Sequence, residues 1–175
     1  RLIRSESSWV RRTKYVYLTV RDGLYTANAG IDESNGNGRL VLLPKDCFQS
    51  ANAIRRKLLR HYKIKNLGVI ITDSRTLPLR AGVLGIALGY AGIKGLRDYR
   101  GQKDIFGRKF KFAKTDVADS LATAATLEMG EGSERQPLAL ISQASVKFVN
   151  RTNTKELLIN PKDDMFIPLL PGRFD

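Results

Sequence analysis

At 175 residues the chain has room for one domain with its own core, and an apolar fraction of 42% excludes a disordered chain. Its 30 Lys+Arg against 17 Asp+Glu give a net charge of +13, which points to an anionic partner: nucleic acid, or a polyphosphate or polycarboxylate metabolite. No apolar run reaches transmembrane length, and a single cysteine, Cys47, excludes an internal disulfide and, with a single histidine, argues against structural zinc.

The chain opens on Arg1 without the pattern of a signal peptide, and is read as a processed or partial chain of a cytoplasmic protein. Residues 14–20 are β-branched and aromatic with partial alternation, which predicts a strand. Arg21-Asp22-Gly23 is a hairpin signal, and residues 24–29 are the returning strand. Residues 28–35, Asn-Ala-Gly-Ile-Asp-Glu-Ser-Asn, form an acidic loop, followed by a short apolar run, 40–43, stopped by Pro44. Phe48, Ala51, Ile54, Leu58 and Tyr62 recur at helical spacing, with Asp46 or Ser50 as cap and Arg55, Arg56, Lys57 and Arg60 on the opposite, basic face. Residues 67–73 are continuously apolar up to Asp73, which predicts a central strand covered by helices, with a ligand at its C-terminal end. Glycines 82, 85, 89 and 92 penalise a helix over 81–93 and predict a strand that other backbone or a ligand approaches closely. Residues 96–108 are polar and turn-rich. Thr115 or Asp116 caps a second helix through Met129, with a small-residue face and Gly130 as its stop. Residues 137–141 read as a last apolar strand before a Pro-rich tail.

Four polar constellations carry the chemistry. The acidic loop offers two carboxylates, Asp32 and Glu33, with the neutral oxygens of Ser34 and Asn35. Hard oxygen ligands on a glycine-flanked loop suit Mg²⁺, Mn²⁺ or Ca²⁺, although a solvated turn has the same composition. Asp73-Ser74 at a strand end is a carboxylate–hydroxyl pair of the kind that holds a cation on phosphate, or an N-cap. Residues 97–104 alternate cations and anions: Arg97, Arg100 and Lys103 suit phosphate or carboxylate recognition, or a self-paired surface cluster. Residues 130–136 place Glu131 between two glycines after the second helix. Lone His61 and Cys47 read as bystanders. There is no P-loop, no dinucleotide-binding glycine motif and no serine nucleophile elbow.

Taken together these segments resemble the coenzyme F(420)-0:γ-glutamyl ligase family. The landmarks run in order: Ala-Gly-Ile-Asp-Glu-Ser-Asn (29–35), Leu-Leu-Pro (42–44), Gly-Val-Ile-Ile-Thr-Asp-Ser (68–74), Leu-Arg-Asp-Tyr-Arg-Gly (96–101), Lys-Asp-Ile-Phe-Gly-Arg (103–108), Val-Ala-Asp-Ser-Leu-Ala (117–122) and Met-Gly-Glu (129–131). The resemblance implies an α/β fold with a mixed sheet and covering helices, and an intertwined homodimer. It implies a GTP-using ligase that phosphorylates a carboxylate and attaches L-glutamate through an acyl phosphate, with Mg²⁺ or Mn²⁺ bridging nucleotide and protein. At the matching positions Asp32, Asp73, Ser74 and Glu131 would hold metal; Glu131 stands where the family often has Gln. Asn35 and the turn Gly130, Glu131, Gly132, Ser133, Glu134, Arg135 and Gln136 would touch the nucleotide. Arg97, Arg100 and Lys103 are expected to grip anionic substrate. No catalytic residue is assigned.

Two departures qualify the resemblance. The family's additional N-terminal stretch, with its nucleotide contacts, is expected to be lacking, leaving residues 1–175 as a single domain. The tail from Leu157 to Asp175 does not match, and leaves open a folate in place of F(420)-0 as acceptor. An RNA-binding module using the Arg55–Arg60 face is the rival reading. It is disfavoured on the expectation that aromatics are not interleaved with the basic clusters.

Overall fold

The computed structural model describes residues 1–166. After a single helical turn, α1 (Leu2–Ser5), the chain makes an antiparallel meander in the order β1-β2-β3: β1 (Trp9–Arg12), β2 (Tyr17–Arg21) and β3 (Leu24–Ala27). The hairpin signal is correct. Asp22 and Gly23 both have positive φ, 52° and 79°, and Arg21 pairs with Leu24, so a two-residue turn of the primed type joins the strands. The predicted strand over 14–20 begins only at Tyr17; residues 13–16 instead close the β1–β2 turn, Thr13 N–H donating to Val16 O at 2.9 Å. β1 was not foreseen, because Val10 is followed by two arginines and the alternation is lost.

The larger unit is a two-stranded antiparallel sheet, β4 (Val69–Arg75) with β5 (Leu84–Ala91), packed by two helices, α2 (Cys47–Tyr62) and α3 (Val117–Met129). Asp46 caps α2 by accepting from Gln49 N–H at 2.8 Å, and Lys63, with φ 53°, ends it. Asp116 caps α3 through Asp119 N–H at 2.9 Å, and Gly130 closes it. These are two of the predicted caps, each satisfying an otherwise orphan helix-end amide. The glycine reading of β5 also holds. A Cβ on Gly85 would meet the Thr126 side chain and stand 2.7 Å from Ala122 O of α3; one on Gly89 would lie 2.5 Å from the Cys47 carbonyl carbon of α2. Glycine is thus what lets both helices close on the strand. The core they enclose is Ala87, Tyr90, Ile93, Ala118 and Ala122, with Phe48 edge-on to Tyr90 at 5.2 Å, a contact worth about 0.5–1.5 kcal/mol beyond the area it buries.

Three expectations are corrected. β4 pairs only with β5 among the described residues and is half-buried along most of its length, so it is not a central covered strand; it also runs past Asp73 to Arg75. A continuous apolar run cannot by itself distinguish a central strand from one partner of a two-stranded sheet. Residues 137–141 form no strand: Leu138 and Leu140 are each 87% exposed. The helical stripe on α2 is only partly used. Ala51 and Phe48 face the body, but Ile54 and Tyr62 are exposed, and Arg55 is turned inward at 8% exposure with its Nε donating to Leu67 O at 2.8 Å. The basic face is therefore reduced to Arg56, Lys57 and Arg60.

The polar stretch after β5 is one arm of a hairpin. β6 (Leu96–Asp98) pairs antiparallel with β7 (Lys114–Asp116), and the ladder continues outward through Tyr99 N–H to Ala113 O at 3.0 Å and Gly101 N–H to Phe110 O at 2.9 Å. The residues after 143 return along the end of β5: Ile93 bridges Phe148, and Glu156 Oε1 accepts from both Tyr90 Oη at 2.8 Å and Gly95 N–H at 2.6 Å. The end of the predicted Pro-rich tail, 167–175, lies outside the described residues.

Candidate functional site

The acidic loop is aimed by a strained turn. Asn28, Ala29 and Gly30 all have positive φ, and Ala29 is fully buried. A buried non-glycine residue in that region needs support from its surroundings. The support is Thr19: its hydroxyl donates to Thr26 O at 2.8 Å and accepts from Ala29 N–H at 2.9 Å. Asn28 Oδ1 accepts from Tyr17 N–H at 2.9 Å, and Arg21 donates to Ala29 O at 3.2 Å. Beyond the turn, Asp32 and Val41 exchange backbone hydrogen bonds at 2.8 and 3.1 Å and close the loop. The β2–β3 hairpin thus fixes where Asp32 emerges.

Within the loop, Asp32 accepts from Ser34 N–H at 2.9 Å and from Ser34 Oγ at 2.7 and 2.8 Å. These bonds, the Ser34 hydroxyl first, hold its carboxyl below the usual carboxylate range. Asn35, itself at φ 55°, donates from Nδ2 to Gly132 O at 3.1 Å. That contact joins the loop to the glycine turn 97 positions away. A second contact joins the same turn to β4: Ser74 Oγ lies 2.6 and 2.7 Å from the two carboxylate oxygens of Glu131. Asp73, the neighbour of Ser74, is raised above its ordinary value by burial first, and by the charges of Asp32 and Glu131. The fold therefore gathers all four expected metal-holding residues, Asp32, Asp73, Ser74 and Glu131, around one region, with Asn35 and Gly132 beside them.

The donor chemistry fits a hard divalent cation: three carboxylates and a hydroxyl, with a half-buried carboxylate, Asp73, whose charge is opposed by its neighbours and would be relieved by a positive ion. Among the described residues no three carboxylate, histidine or cysteine groups stand in a ready-made cage. Ser34 hydrogen-bonds Asp32, and Ser74 hydrogen-bonds Glu131, so binding a cation would exchange these hydroxyl contacts for ligand bonds.

The rest of the glycine turn folds on itself. Glu134 accepts from Gly132 N–H at 2.8 Å, which turns its carboxylate toward the turn's own backbone, and Arg135 takes a positive φ of 56°. Ser133, Glu134, Arg135 and Gln136 are exposed.

Arg97, Arg100 and Lys103 lie elsewhere, on the β6 arm. Arg100 forks onto Asp98, 2.6 Å away, and draws that carboxyl down to about 2, the self-paired cluster that its sequence context also allowed. Arg97 donates to Ser145 O and, at 3.0 Å, to Ser145 Oγ. Lys103 bridges Lys109 through the backbone. No hydrogen bond or ion pair ties any of the three to Asp32, Asp73 or Glu131 among the described residues. The same arm corrects the reading of the aromatics: Phe106 and Phe112, 89% and 87% exposed, do alternate with Arg108, Lys109 and Lys111.

Cys47 begins α2, but burial pushes its thiol up rather than down, so a helix start does not activate it. His61 stands edge-on to Tyr62 on the exposed end of α2. Sequence reasoning overlooked Thr19, and it read Asn28 and Ala29 as part of the acidic loop rather than as the turn that aims it. The only signal was a buried-type threonine pair, Thr19 and Thr26, inside a predicted hairpin.

Comparison with known proteins places the chain in a family. Residues 1–143 match the family model for F(420)-0:gamma-glutamyl ligase. The chain is 41% identical over 152 residues to the coenzyme F(420):L-glutamate ligase of Methanococcus maripaludis (strain C7), covering 87% of this chain and 60% of that protein. It is 39% identical to the protein of the same name from Methanocaldococcus jannaschii, covering 86% of this chain and 59% of the relative. With that of Methanopyrus kandleri the identity is 36% over 170 residues, 94% of this chain and 67% of the relative. The chain thus spans about three-fifths of the length of the first two relatives. With a matched segment that contains the acidic loop, Asp73-Ser74 and the glycine turn alike, the chain belongs to the F(420)-0:gamma-glutamyl ligase family.

Proposed function

We propose that the protein is an acid–amino-acid ligase that joins L-glutamate, in γ-linkage, to an anionic cofactor such as coenzyme F(420)-0, at the expense of GTP. One observation carries the reading. The contacts Asn35–Gly132 and Ser74–Glu131 draw the acidic loop, the glycine turn and the outer end of β4 into one oxygen-rich region. The names of the relatives supply the reaction class.

In this reading an oxygen of the acceptor's carboxylate attacks the γ-phosphorus, the β–γ bridging bond breaks and GDP leaves. The glutamate nitrogen then attacks the acyl carbon, phosphate departs with the acyl C–O bond pair, and the nitrogen gives up a proton to form the amide. Asp32, Asp73, Ser74 and Glu131 would hold Mg²⁺ or Mn²⁺, which supplies positive charge to the phosphate oxygens. Asn35 and the turn from Gly130 to Gln136 orient the nucleotide. Asp73 remains half-buried, which limits water at the point where an acyl phosphate would otherwise hydrolyse. Arg97 and Lys103 belong to this scheme as long-range attractors of anions rather than as direct clamps, and the surplus of +13 acts in the same sense.

A homodimer is part of the proposal. It is supported by Leu138 and Leu140, which lie exposed on a segment with the composition of a strand and no partner among the described residues. Light scattering on the purified protein tests it. The test of the reaction is mass spectrometry after incubation with GTP, Mn²⁺ and L-glutamate, with F(420)-0 in one arm and a folate in the other. The expected product is the acceptor carrying one added glutamyl residue in the F(420)-0 arm. Addition only in the folate arm would reassign the acceptor, and addition in neither arm would contradict the ligase reading.

A further inference from the structure

The arm that continues the β6–β7 ladder ends in a well-defined turn. Asp104 N–H donates to Arg108 O at 2.8 Å and Gly107 N–H to Asp104 O at 3.0 Å, while Asp104 Oδ1 accepts from Phe106 N–H at 2.9 Å and Arg108 N–H at 2.8 Å. Gly107 supplies the positive φ, 86°, that lets the chain reverse. A Cβ added at Gly101 or Gly107 would meet nothing within 4 Å, so neither position packs against the body. The turn leaves Ile105 and Phe106 91% and 89% exposed, and Phe112, on the returning limb, is 87% exposed.

The charges of the arm divide unequally. Its two carboxylates are already engaged: Asp98 is forked by Arg100 at 2.6 Å, and Asp104 turns toward its own backbone. Lys103, Arg108, Lys109 and Lys111 are exposed and make no ion pair among the described residues. Three of these four cations interleave with aromatic rings in the run Phe106-Gly107-Arg108-Lys109-Phe110-Lys111-Phe112. Phe110 stands edge-on to Tyr99, with centroids 6.3 Å apart, which leaves Phe106 and Phe112 as the open rings.

Uncommitted cations with open aromatic faces between them suit a single-stranded nucleic acid: the cations neutralise successive phosphates, and unstacked bases lie on the rings. A duplex keeps its base faces within its own stack and would leave Phe106 and Phe112 unused. A second copy of this chain brings the same net charge of +13 and the same four cations, which repel. A membrane surface would take the tip alone. Phe112 lies back along the arm, between the ladder contacts Gly101–Phe110 and Tyr99–Ala113, behind a tip that inserts. The basic face of α2 fits less well, since no aromatic stands between its Arg56, Lys57 and Arg60.

We propose that the β6–β7 arm binds single-stranded nucleic acid, with Phe106 and Phe112 stacking on bases and Lys103, Arg108, Lys109 and Lys111 on the flanking phosphates. The inference is independent of the ligase reading: it uses none of Asp32, Asp73, Ser74 and Glu131, and its test requires neither nucleotide nor turnover.

Fluorescence anisotropy of a labelled single-stranded RNA of about 12 nucleotides, a length within the range of single-strand sites, tests it beside a duplex of the same sequence. EDTA is added and GTP omitted, so that the cation–phosphate site takes no part. The expected result is saturable binding of the single strand, tighter than of the duplex, with log K falling against log salt at a slope of about −3, as four neutralised phosphates give. Phe106→Ala and Phe112→Ala should each weaken binding about fivefold or more at an unchanged slope, Phe106→Leu should behave like the alanine variant, and Phe106→Trp should keep the affinity. Lys109→Gln combined with Lys111→Gln should flatten the slope by about 1.4, whereas Lys57→Gln, on α2, should change neither slope nor affinity. Circular dichroism confirms that each variant is folded. No binding, a preference for the duplex, or affinity unmoved by the phenylalanine substitutions would overturn the proposal. So would Phe106→Ala and Phe112→Ala changing the mass by light scattering, or the retention on phosphatidylserine vesicles, while leaving RNA affinity intact: the arm would then serve a second copy or a membrane.

Discussion

Ser74 and Glu131, 57 positions apart in the chain, share a hydroxyl–carboxylate contact of 2.6 and 2.7 Å that fastens the turn after α3 to the outer end of β4. The contact places a full negative charge near Asp73, where burial already disfavours ionisation. Replacing Glu131 with Gln keeps an oxygen but removes that charge. We expect Glu131→Gln to lower the titration midpoint of the Asp73 carboxyl, and to weaken Mn²⁺ binding at neutral pH by about tenfold. Carboxyl ¹³C NMR across pH, with Mn²⁺ titration of both proteins, checks the two effects. An unmoved Asp73 midpoint would show that the Glu131 charge is not felt there.

Asp116 offers a pH-dependent prediction. Burial first, and the nearby Asp119 charge, raise its carboxyl from 3.8 to about 6. The native state therefore binds more protons than the unfolded chain between roughly pH 4 and 6, so stability falls as pH rises through that window and levels off above it. Asn caps a helix as well as Asp does and cannot ionise. Asp116→Asn should gain stability relative to the parent as pH goes from 4 to 7, whereas Asp116→Ala should lose about 1 kcal/mol of capping. Urea unfolding at several pH values distinguishes them, and parallel pH profiles for parent and Asp116→Asn would refute the assignment.

Glu156 ties the returning segment to the core through Tyr90 Oη and Gly95 N–H. Glu156→Ala leaves Gly95 N–H without an acceptor and Tyr90 Oη with only the long contact to Asn153 O at 3.4 Å, and should cost about 1.5–3 kcal/mol. Glu156→Gln retains an acceptor and should cost about 1 kcal/mol. Denaturant midpoints for the pair measure the difference, and equal loss in both would mean that the charge, not the acceptor, matters.

Gly89→Ala tests the helix–strand packing. The added Cβ would stand 2.5 Å from the Cys47 carbonyl carbon and 2.6 Å from Phe48 N, both backbone atoms that no rotamer change can move. A loss of about 1–3 kcal/mol is expected, as for overpacked cores. Gly82→Ala makes a comparison without a clash, since nothing lies within 4 Å of its added Cβ, although its φ of +88° still strains an alanine.

The parts of the fold set by local chemistry were legible from sequence. Asp22-Gly23 specified its turn, Asp46 and Asp116 their caps, and the glycines of β5 the close approach of two helices. Asp32, Asp73, Ser74 and Glu131 could be singled out because they sit in recognisable landmarks; their service as one cation site is part of the proposal. What escaped depends on partners. Val69 to Asp73 reads the same in a central strand as in a two-stranded sheet, and Leu138 to Ile141 reads as a strand whether or not an edge is there to receive it. Arg55 looked like part of a solvated face because its acceptor, Leu67 O, lies beyond the helix in a different segment. The turn that aims the acidic loop rests on Thr19, whose role is defined only once β2 and β3 are paired.

The central claim is that Asp32, Asp73, Ser74 and Glu131 act together as one cation–phosphate site. Isothermal titration of GTP into the protein, with and without Mn²⁺, compared across the parent, Asp32→Ala and Asp73→Ala, tests it most directly. The account predicts Mn²⁺-dependent GTP binding in the parent and a loss of at least tenfold in both variants, down to the affinity measured without metal. GTP binding of equal strength in all three proteins would contradict it.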